Sequence, residues 1–517
     1  MVWAARANPF LLPLLSGLLL YLSFPPADWG FLAWVALVPL LAAIRDSPPR
    51  SAFQAGVLCG ISFYLPSLYW VTHALVVYGG LSRILSLLVL VALCLYLSAY
   101  FGFFSWLASH FRMLPRGSAS LWLSCLWVSL EYLRNWLLSG FPWNLLGYSQ
   151  HRFLTLLQLT SLTGIYGLSF LLLVVNISLF QILRPPFPPS ARRLGLVWAI
   201  IAILLALAYG SWRLHHRLEG RPLRVAVIQG NIDQSLKWEP SLQRQSFETH
   251  RQLTLGVSGF HPDLVVWPET ALPLYLRSEK AYRDELQALA QRLGSYLLVG
   301  APDFEGEGGV RYYNSAFFFT PCPKPPEKYD KMHLVPFGEY VPLRGLLFFV
   351  EKLVPGMGDF TAGKEPKIFP LSGGGFGVLI CFEAIFPELA RTYRSRGANF
   401  LVNITNDAWF GKTAAPYQHL AMAKVRAVEN GVYLVRAANT GISALVSPEG
   451  MVLRSSPLFT QDRIVGIIKM VERKTVYARA GDLFAWLCLT LVGGRIVYTP
   501  ISWRRSSAGK DKVSGRS

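Results

Sequence analysis

The sequence predicts a polytopic α-helical membrane domain of about eight spans joined to one soluble α/β domain. Composition is the first observation behind this. Hydrophobic residues make up 52% of the 517 residues, charged ones only 15%, and there are 16 Trp, too apolar and aromatic for an ordinary soluble enzyme. Charge distribution is the second. A net charge of +19 suggests either nucleic acid or an anionic membrane surface. From Met1 to Trp212, however, the only acidic residues are Asp28, Asp46 and Glu131, and Arg recurs in short stretches between apolar runs. That is membrane topology, and no basic, aromatic pattern of an RNA binder accompanies it, so no nucleic-acid partner is expected. The third observation is a change of character after residue 212, where charges of both signs and short β-branched runs take over.

Apolar runs of spanning length cover about 8–24, 30–45, 52–75, 83–110, 118–138, 159–183, 194–212 and 483–499. The first lacks a small-residue cleavage site and is followed closely by others, so it does not read as a removable signal. Arg6, then Arg45 and Arg50, then Arg112 and Arg116, then Arg184, Arg192 and Arg193 fall in alternate connections. Arg83 and Arg152 are lone exceptions. Positive loops stay in the cytoplasm, so both termini are expected there. The domains expected are a seven-helix membrane domain over 1–212, a soluble domain over 213–480 on the outer face, a last membrane helix over 481–503, and a basic cytoplasmic tail over 504–517.

Within the soluble domain, strands are expected at 224–229, 264–267, 296–300, 315–319, 377–381, 400–405, 432–437 and 443–447. Helices are expected at about 240–257, 278–293, 386–396 and 416–430. The largely apolar, Gly-containing stretch 343–360 reads either as a loop that dips into lipid or as buried core. The six cysteines, Cys59, Cys94, Cys125, Cys322, Cys381 and Cys488, form no CxxC pair and no zinc spacing with His. Neither a metal nor another cofactor is expected. Only Cys322 and Cys381 lie outside the apolar spans, and a pairing of the two is not expected.

Three segments each deliver a reactive side chain at or near the end of an apolar run. Val265-Val266-Trp267-Pro268-Glu269 puts a carboxylate just past a strand, where α/β folds gather ligands. Tyr329-Asp330-Lys331 opens a largely apolar stretch that reaches Glu339, and an ammonium in such a setting can stabilise an oxyanion or lower a thiol's pKa. Gly377-Val378-Leu379-Ile380-Cys381-Phe382-Glu383 carries a cysteine to a turn before a helix, a recurring way to expose a nucleophile. Taken singly, each has a plain structural explanation: a surface acid, an ion pair, a core thiol.

Together, Glu269, Lys331 and Cys381 in that order resemble the nitrilase (carbon-nitrogen hydrolase) superfamily, over about 223–470 and including Asn403-Ile404-Thr405-Asn406-Asp407-Ala408-Trp409-Phe410. The resemblance implies an αββα sandwich with Glu269 as general base, Lys331 as oxyanion stabiliser and Cys381 as nucleophile. Such a domain held on a polytopic membrane domain is similar to the apolipoprotein N-acyltransferase family. So are Ser23-Phe24-Pro25-Pro26, Gly140-Phe141-Pro142-Trp143, Gly147-Tyr148-Ser149-Gln150, Gln229-Gly230-Asn231 and Lys237-Trp238. Phe382 departs mildly, standing where Tyr is expected.

That resemblance implies transfer of a fatty acyl group from phospholipid, through a cysteine thioester, to the N-terminal amine of a diacylglyceryl-cysteine apolipoprotein. A multi-pass bacterial inner-membrane location, a periplasmic catalytic domain and a monomer are implied with it. Glu339 and Glu383 are expected to orient the site, Phe382 to wall it, and Trp238 and Trp409 to line an entrance or to anchor at the membrane interface. The competing readings are a membrane-anchored amidase using the same three residues and a lipid-binding or transport protein with a dead nitrilase-like domain. Eight spans argue against the first, and the three reactive residues occurring together argue against the second.

Overall fold

The computed structural model describes residues 10–111, 118–183, 189–216, 218–233, 240–306, 310–340 and 360–498. Among the described residues, twelve strands form two six-stranded sheets. They are β1 (Gly220–Gln229), β2 (Leu264–Val266), β3 (Tyr296–Glu305), β4 (Arg311–Phe319), β5 (Glu327–Asp330), β6 (Ile368–Leu371), β7 (Gly374–Ile380), β8 (Phe400–Thr405), β9 (Tyr433–Ala438), β10 (Ala444–Val446), β11 (Val452–Ser455) and β12 (Asp462–Val471). The first sheet runs β12-β1-β2-β3-β4-β5 and the second β11-β10-β9-β8-β7-β6.

In the middle of each sheet the neighbours are parallel, β1-β2-β3 in one and β7-β8-β9 in the other. These strands are mostly apolar, with Asn403 on β8 and Arg436 on β9 among the buried exceptions; β2 and β8 are buried throughout, as parallel strands covered on both faces must be. The sheets pack face to face. Val225, Val266 and Phe318 of the first meet Val378, Val402 and Val435 of the second in one core, and the Phe318 ring lies 5.0 Å from Phe369 and 5.5 Å from Phe376. The Pro240–Leu255 and Lys280–Leu293 helices cover the outside of the first sheet through Phe247, Leu286 and Leu289. The Pro387–Ser395 and Ala415–Asn430 helices cover the second through Ala390, Ala423 and Ala427. The result is the four-layer αββα sandwich. The edge strands β5, β6, β11 and β12 had no expected counterpart, because they are short or alternate irregularly.

The N-terminal region is helical, but it does not present eight helices of spanning length. Among the described residues, three are long and apolar enough to cross a bilayer, Arg83–His110, Ile165–Leu183 and Arg192–His215. Pro49–Ser67 with Trp70–Tyr78, bent by 50°, makes a fourth. The other expected spans are shorter. Leu11–Leu22 has 12 residues, a rise of about 18 Å against the ~30 Å of a hydrocarbon core. The 30–45 run splits into a 3-10 turn at Gly30–Trp34 and a seven-residue helix at Val38–Ile44. Ala119–Arg134 stops at 16 residues and buries Glu131 and Arg134 in the bundle. Ile84, Leu88, Leu204 and Leu205 stand exposed on the long helices, a density of apolar surface that water does not favour.

The Ala415–Asn430 helix belongs to both halves. Ala423 and Ala427 face the sandwich core, whereas Met422, Val425 and Val428 sit in the core of the helical region. On that second face Arg426 pairs with Glu429 at 3.0 Å and donates to the Tyr148 hydroxyl at 2.8 Å; Glu429 accepts from the Ile165 amide at 2.9 Å. All these polar side chains are buried, and each of these contacts compensates the cost of removing them from water.

Candidate active site

Four strands point their C-terminal ends to one region between the sheets. β2 leads to Glu269, β7 to Cys381 and β8 to Asn406 and Asp407. β5 lies two antiparallel steps from β3, so it runs the same way and leads to Lys331. Ligands gather at this edge of α/β sheets because strand ends leave backbone and side chains unpaired there. The approach is close: a Cβ at Gly300 on β3 would stand 2.3 Å from the Pro268 carbonyl oxygen and 2.7 Å from the Glu269 Cα, so only glycine lets the Glu269 loop lie against β3.

Glu269, Lys331 and Cys381 are brought together and are 6%, 1% and 8% exposed. Lys331 Nζ is 3.8 Å from Glu269 Oε1 and 2.9 Å from Glu339 Oε2. Asn314 Nδ2 donates to Glu269 Oε1 at 2.7 Å and to Glu339 Oε1 at 2.8 Å, and the Asn406 amide donates to Glu269 Oε2 at 2.7 Å. One cation therefore serves two carboxylates. Burial pushes the Lys331 ammonium down, but Glu339, Glu269 and the Cys381 sulfur outweigh it and hold it well above the ordinary lysine value. Burial also raises Glu269 above the usual carboxylate range, against the pull of Lys331. Cys381 is pushed well up, first by burial and then by Glu269, with Lys331 opposing. The sulfur thus rests as a thiol beside a buried carboxyl group and a fixed positive charge.

Glu339 is the direct partner of Lys331, and its Oε2 also accepts from the Val335 amide at 2.8 Å. Glu383 touches neither. Its Oε1 accepts from the Tyr329 hydroxyl at 2.8 Å and from the Met332 and His333 amides at 2.7 and 3.1 Å, while Oε2 accepts from the Ile380 amide at 2.7 Å. One buried carboxylate thereby ties the Lys331 loop to the end of β7, where Cys381 begins. Burial raises it to about 7, with those hydrogen bonds pulling back.

Phe382 forms an aromatic wall with Phe386 at 5.2 Å, His333 at 5.9 Å and Phe141 of the helical region at 6.2 Å. Trp409 lies apart from this wall, half-buried with its ring 4.9 Å from Tyr78. Trp238 lies outside the described residues, as does the 343–360 stretch, read either as a lipid-dipping loop or as buried core, except for Phe360. Cys322 is exposed and free. Among the described residues no group of His, Cys, Asp and Glu is arranged to hold a metal ion.

Sequence reasoning did not assign roles to Asn314, Asn406, Asp407 or His419. Asn406 and Asp407 stand in a segment already singled out; Asn314 lies within a strand and His419 far from Cys381 along the chain, and neither leaves a local signal.

A buried acid, lysine and cysteine stand at the strand ends of an αββα sandwich, and residues 224–477 match the family described as "Carbon-nitrogen hydrolase", which gives the class of the soluble domain. Over 49% of this chain the fold is similar to a Saccharomyces cerevisiae member of branch 10 of the nitrilase superfamily, at 20% identity, 91% coverage of that chain and a TM-score of 0.39. Residues 16–178 match the "Apolipoprotein N-acyltransferase N-terminal domain". The chain is 44% identical to an apolipoprotein N-acyltransferase of Geobacter metallireducens over 98% of this chain and 97% of that one. It is 36% identical to that of Azotobacter vinelandii over 91% of both. The chain belongs to the apolipoprotein N-acyltransferase family, and with it goes the activity the family name states, N-acylation of apolipoproteins.

Proposed function

We propose that the chain moves a fatty acyl group from membrane phospholipid, through a thioester on Cys381, to the N-terminal amine of a diacylglyceryl-cysteine apolipoprotein. The single observation that carries this is the convergence of Glu269, Lys331 and Cys381 in a buried site whose aromatic wall includes Phe141 of the helical region.

Because burial keeps the sulfur protonated, the proton has to leave during attack rather than before it. Glu269 takes the thiol proton as sulfur bonds to the ester carbonyl carbon, and the carbonyl oxygen becomes an oxyanion. Lys331, held cationic by its two carboxylates, and nearby backbone amides stabilise that charge; loss of one such donor costs roughly 10²–10³ in rate. Collapse breaks the carbon–oxygen bond, and Glu269 returns its proton to the departing lysophospholipid alcohol. In the second half the lipoprotein amine attacks the thioester, Glu269 accepts the amine proton, and the amide forms as the Cys381 thiol is regenerated. Glu339 positions Lys331, Glu383 fixes the two loops relative to each other, and Phe382 walls the acyl path. Excluding water is essential, since a hydrated thioester would hydrolyse. Trp409 lines the entrance.

Each of the eight apolar runs over 1–212 and 481–503 makes one pass, the helices too short to cross by themselves being only part of their runs. Both termini are then cytoplasmic, the 213–480 domain is periplasmic, and the protein works as a monomer in the bacterial inner membrane. The alternating arginine-bearing connections support this orientation.

Purified protein incubated with phospholipid alone should gain one acyl mass on Cys381, removable by hydroxylamine and absent from Cys381→Ala and Glu269→Gln. A folded protein that never gains the adduct would favour a membrane-anchored amidase instead.

A further inference from the structure

Cys381 has a backbone conformation that L residues avoid, φ +51°, so something must hold it. His419 in the second turn of the Ala415–Asn430 helix meets it: Nε2 lies 3.1 Å from the Cys381 carbonyl oxygen. A carbonyl oxygen only accepts, so Nε2 carries the hydrogen. The other ring nitrogen, Nδ1, faces Arg436 Nη2 at 3.2 Å and Asp407 Oδ1 at 3.1 Å. Guanidinium only donates, so a neutral ring with Nδ1 accepting from Arg436 satisfies both nitrogens. Arg436 Nη2 also donates to Asp407 Oδ2 at 2.7 Å, and Thr405 Oγ1 donates to Asp407 Oδ1 at 2.9 Å. His419, Asp407 and Arg436 are all fully buried. From the helical region, the Trp143 ring stands 5.9 Å from the imidazole, and its Nε1 donates to the neighbouring Gln418 at 2.8 Å. The imidazole is fixed from every side, yet the acyl-transfer chemistry has no use for it as an acid or base.

Peptide planarity supplies the use. In a trans peptide the Cys381 carbonyl and the Phe382 N–H point in opposite directions. Pinning the oxygen therefore fixes the direction of the Phe382 N–H, a first-turn amide of the Cys381–Ile385 3-10 helix that has no partner within the helix. It also fixes the Cα from which the thiol projects. We propose that His419 is a positioning residue for the nucleophile: its Nε2–H, braced through Nδ1 by Arg436, which Asp407 holds in turn, locks the Cys381–Phe382 peptide plane in the conformation from which the sulfur attacks. This rests on Cys381 being the nucleophile.

The test uses the full-length protein in detergent micelles with a phospholipid of single acyl composition, following the rate of adduct formation on Cys381 by intact mass. His419→Gln carries an amide nitrogen where Nε2 stood, whereas the shorter His419→Asn places its nitrogen near the Nδ1 position, out of reach of the Cys381 oxygen; both are neutral and polar. His419→Gln should acylate within about tenfold of wild type and His419→Asn about 10² more slowly, the scale on which displacing one donor acts. The concentration dependence on phospholipid should stay the same in both. His419→Phe, if it folds, should match His419→Asn. Equal rates for the Gln and Asn variants, or losses that track thermal stability and not the donor, would overturn the proposal. Absence of any adduct on the wild-type protein would remove the nucleophile assignment and this proposal with it, an outcome distinct from a wild-type adduct with indifferent variants.

Discussion

Replacing Glu339 with Gln removes one of the two charges that share Lys331. At 2.9 Å the lost attraction is roughly 6 kcal/mol gross at an effective dielectric of about 20, and the remaining one to Glu269 at 3.8 Å is roughly 4 kcal/mol. Desolvation offsets much of both. Breaking a buried pair costs roughly 3–5 kcal/mol, and the low end, about 3 kcal/mol, applies here because Glu269 still neutralises the lysine. The sharper consequence is electrostatic. Glu339 is one of the charges that raise Glu269, while Lys331 lowers it; without Glu339 the lysine holds Glu269 ionised down to lower pH. Acylation requires ionised Glu269, so the acid limb of its rate profile should move down, by about one unit for each 1.4 kcal/mol of repulsion removed. The plateau should also fall by about 10- to 100-fold, because a weaker base and a displaced lysine both cost rate. The assay is the pH dependence of acyl-adduct formation on Cys381, with thermal unfolding alongside. An acid limb that stays in place or moves up would refute the shared-charge account and leave Glu339 a purely steric support.

Glu383, raised to about 7, favours the folded state fully below about pH 4.5, and that contribution is lost as pH rises through 7. Glu383→Gln should therefore flatten the fall in thermal stability across that window, yet slow acylation, since one of the four donors that meet the carboxylate is left without an acceptor. Arg426→Met should destabilise by about 3–5 kcal/mol by stranding buried Glu429 at the junction of the two halves, seen as earlier protease cleavage between them on heating. Phe382→Tyr should cost less than about 1.5 kcal/mol in stability and leave the acylation rate near wild type, since the ring is kept. Phe382→Ala should instead open the wall and raise the share of thioester lost to water, read as free fatty acid released per amide formed.

Two of the three candidate site residues, Glu269 and Cys381, stood out along the chain because they follow apolar strands, whereas Lys331 follows the charged strand β5, Glu-Lys-Tyr-Asp. Periodicity alone does not separate such a run from a buried helix, but Leu264–Val266 and Gly374–Ile380 end at Glu269 and Cys381 with turn residues just beyond, and that pattern is local. Membrane character was legible for the same reason, since apolar run length and arginine placement are properties of the sequence itself. Span number was less so: hydropathy counts apolar residues but does not register that 30–45 breaks into two short helices or that Ala119–Arg134 keeps Glu131 inside the bundle. What only the tertiary structure decided is which groups share the site. Lys331 meets Glu269, 62 residues away in sequence, as well as Glu339 from its own segment, Glu383 bridges two loops 50 residues apart in sequence, and His419 reaches the Cys381 carbonyl from a helix that also belongs to the helical region's core. Hydrogen bonds and charge pairs act over a few ångströms of space whatever the separation along the chain, so the identity of the reactive residues can be read from local pattern, whereas their protonation and aim are set by partners that only folding brings near.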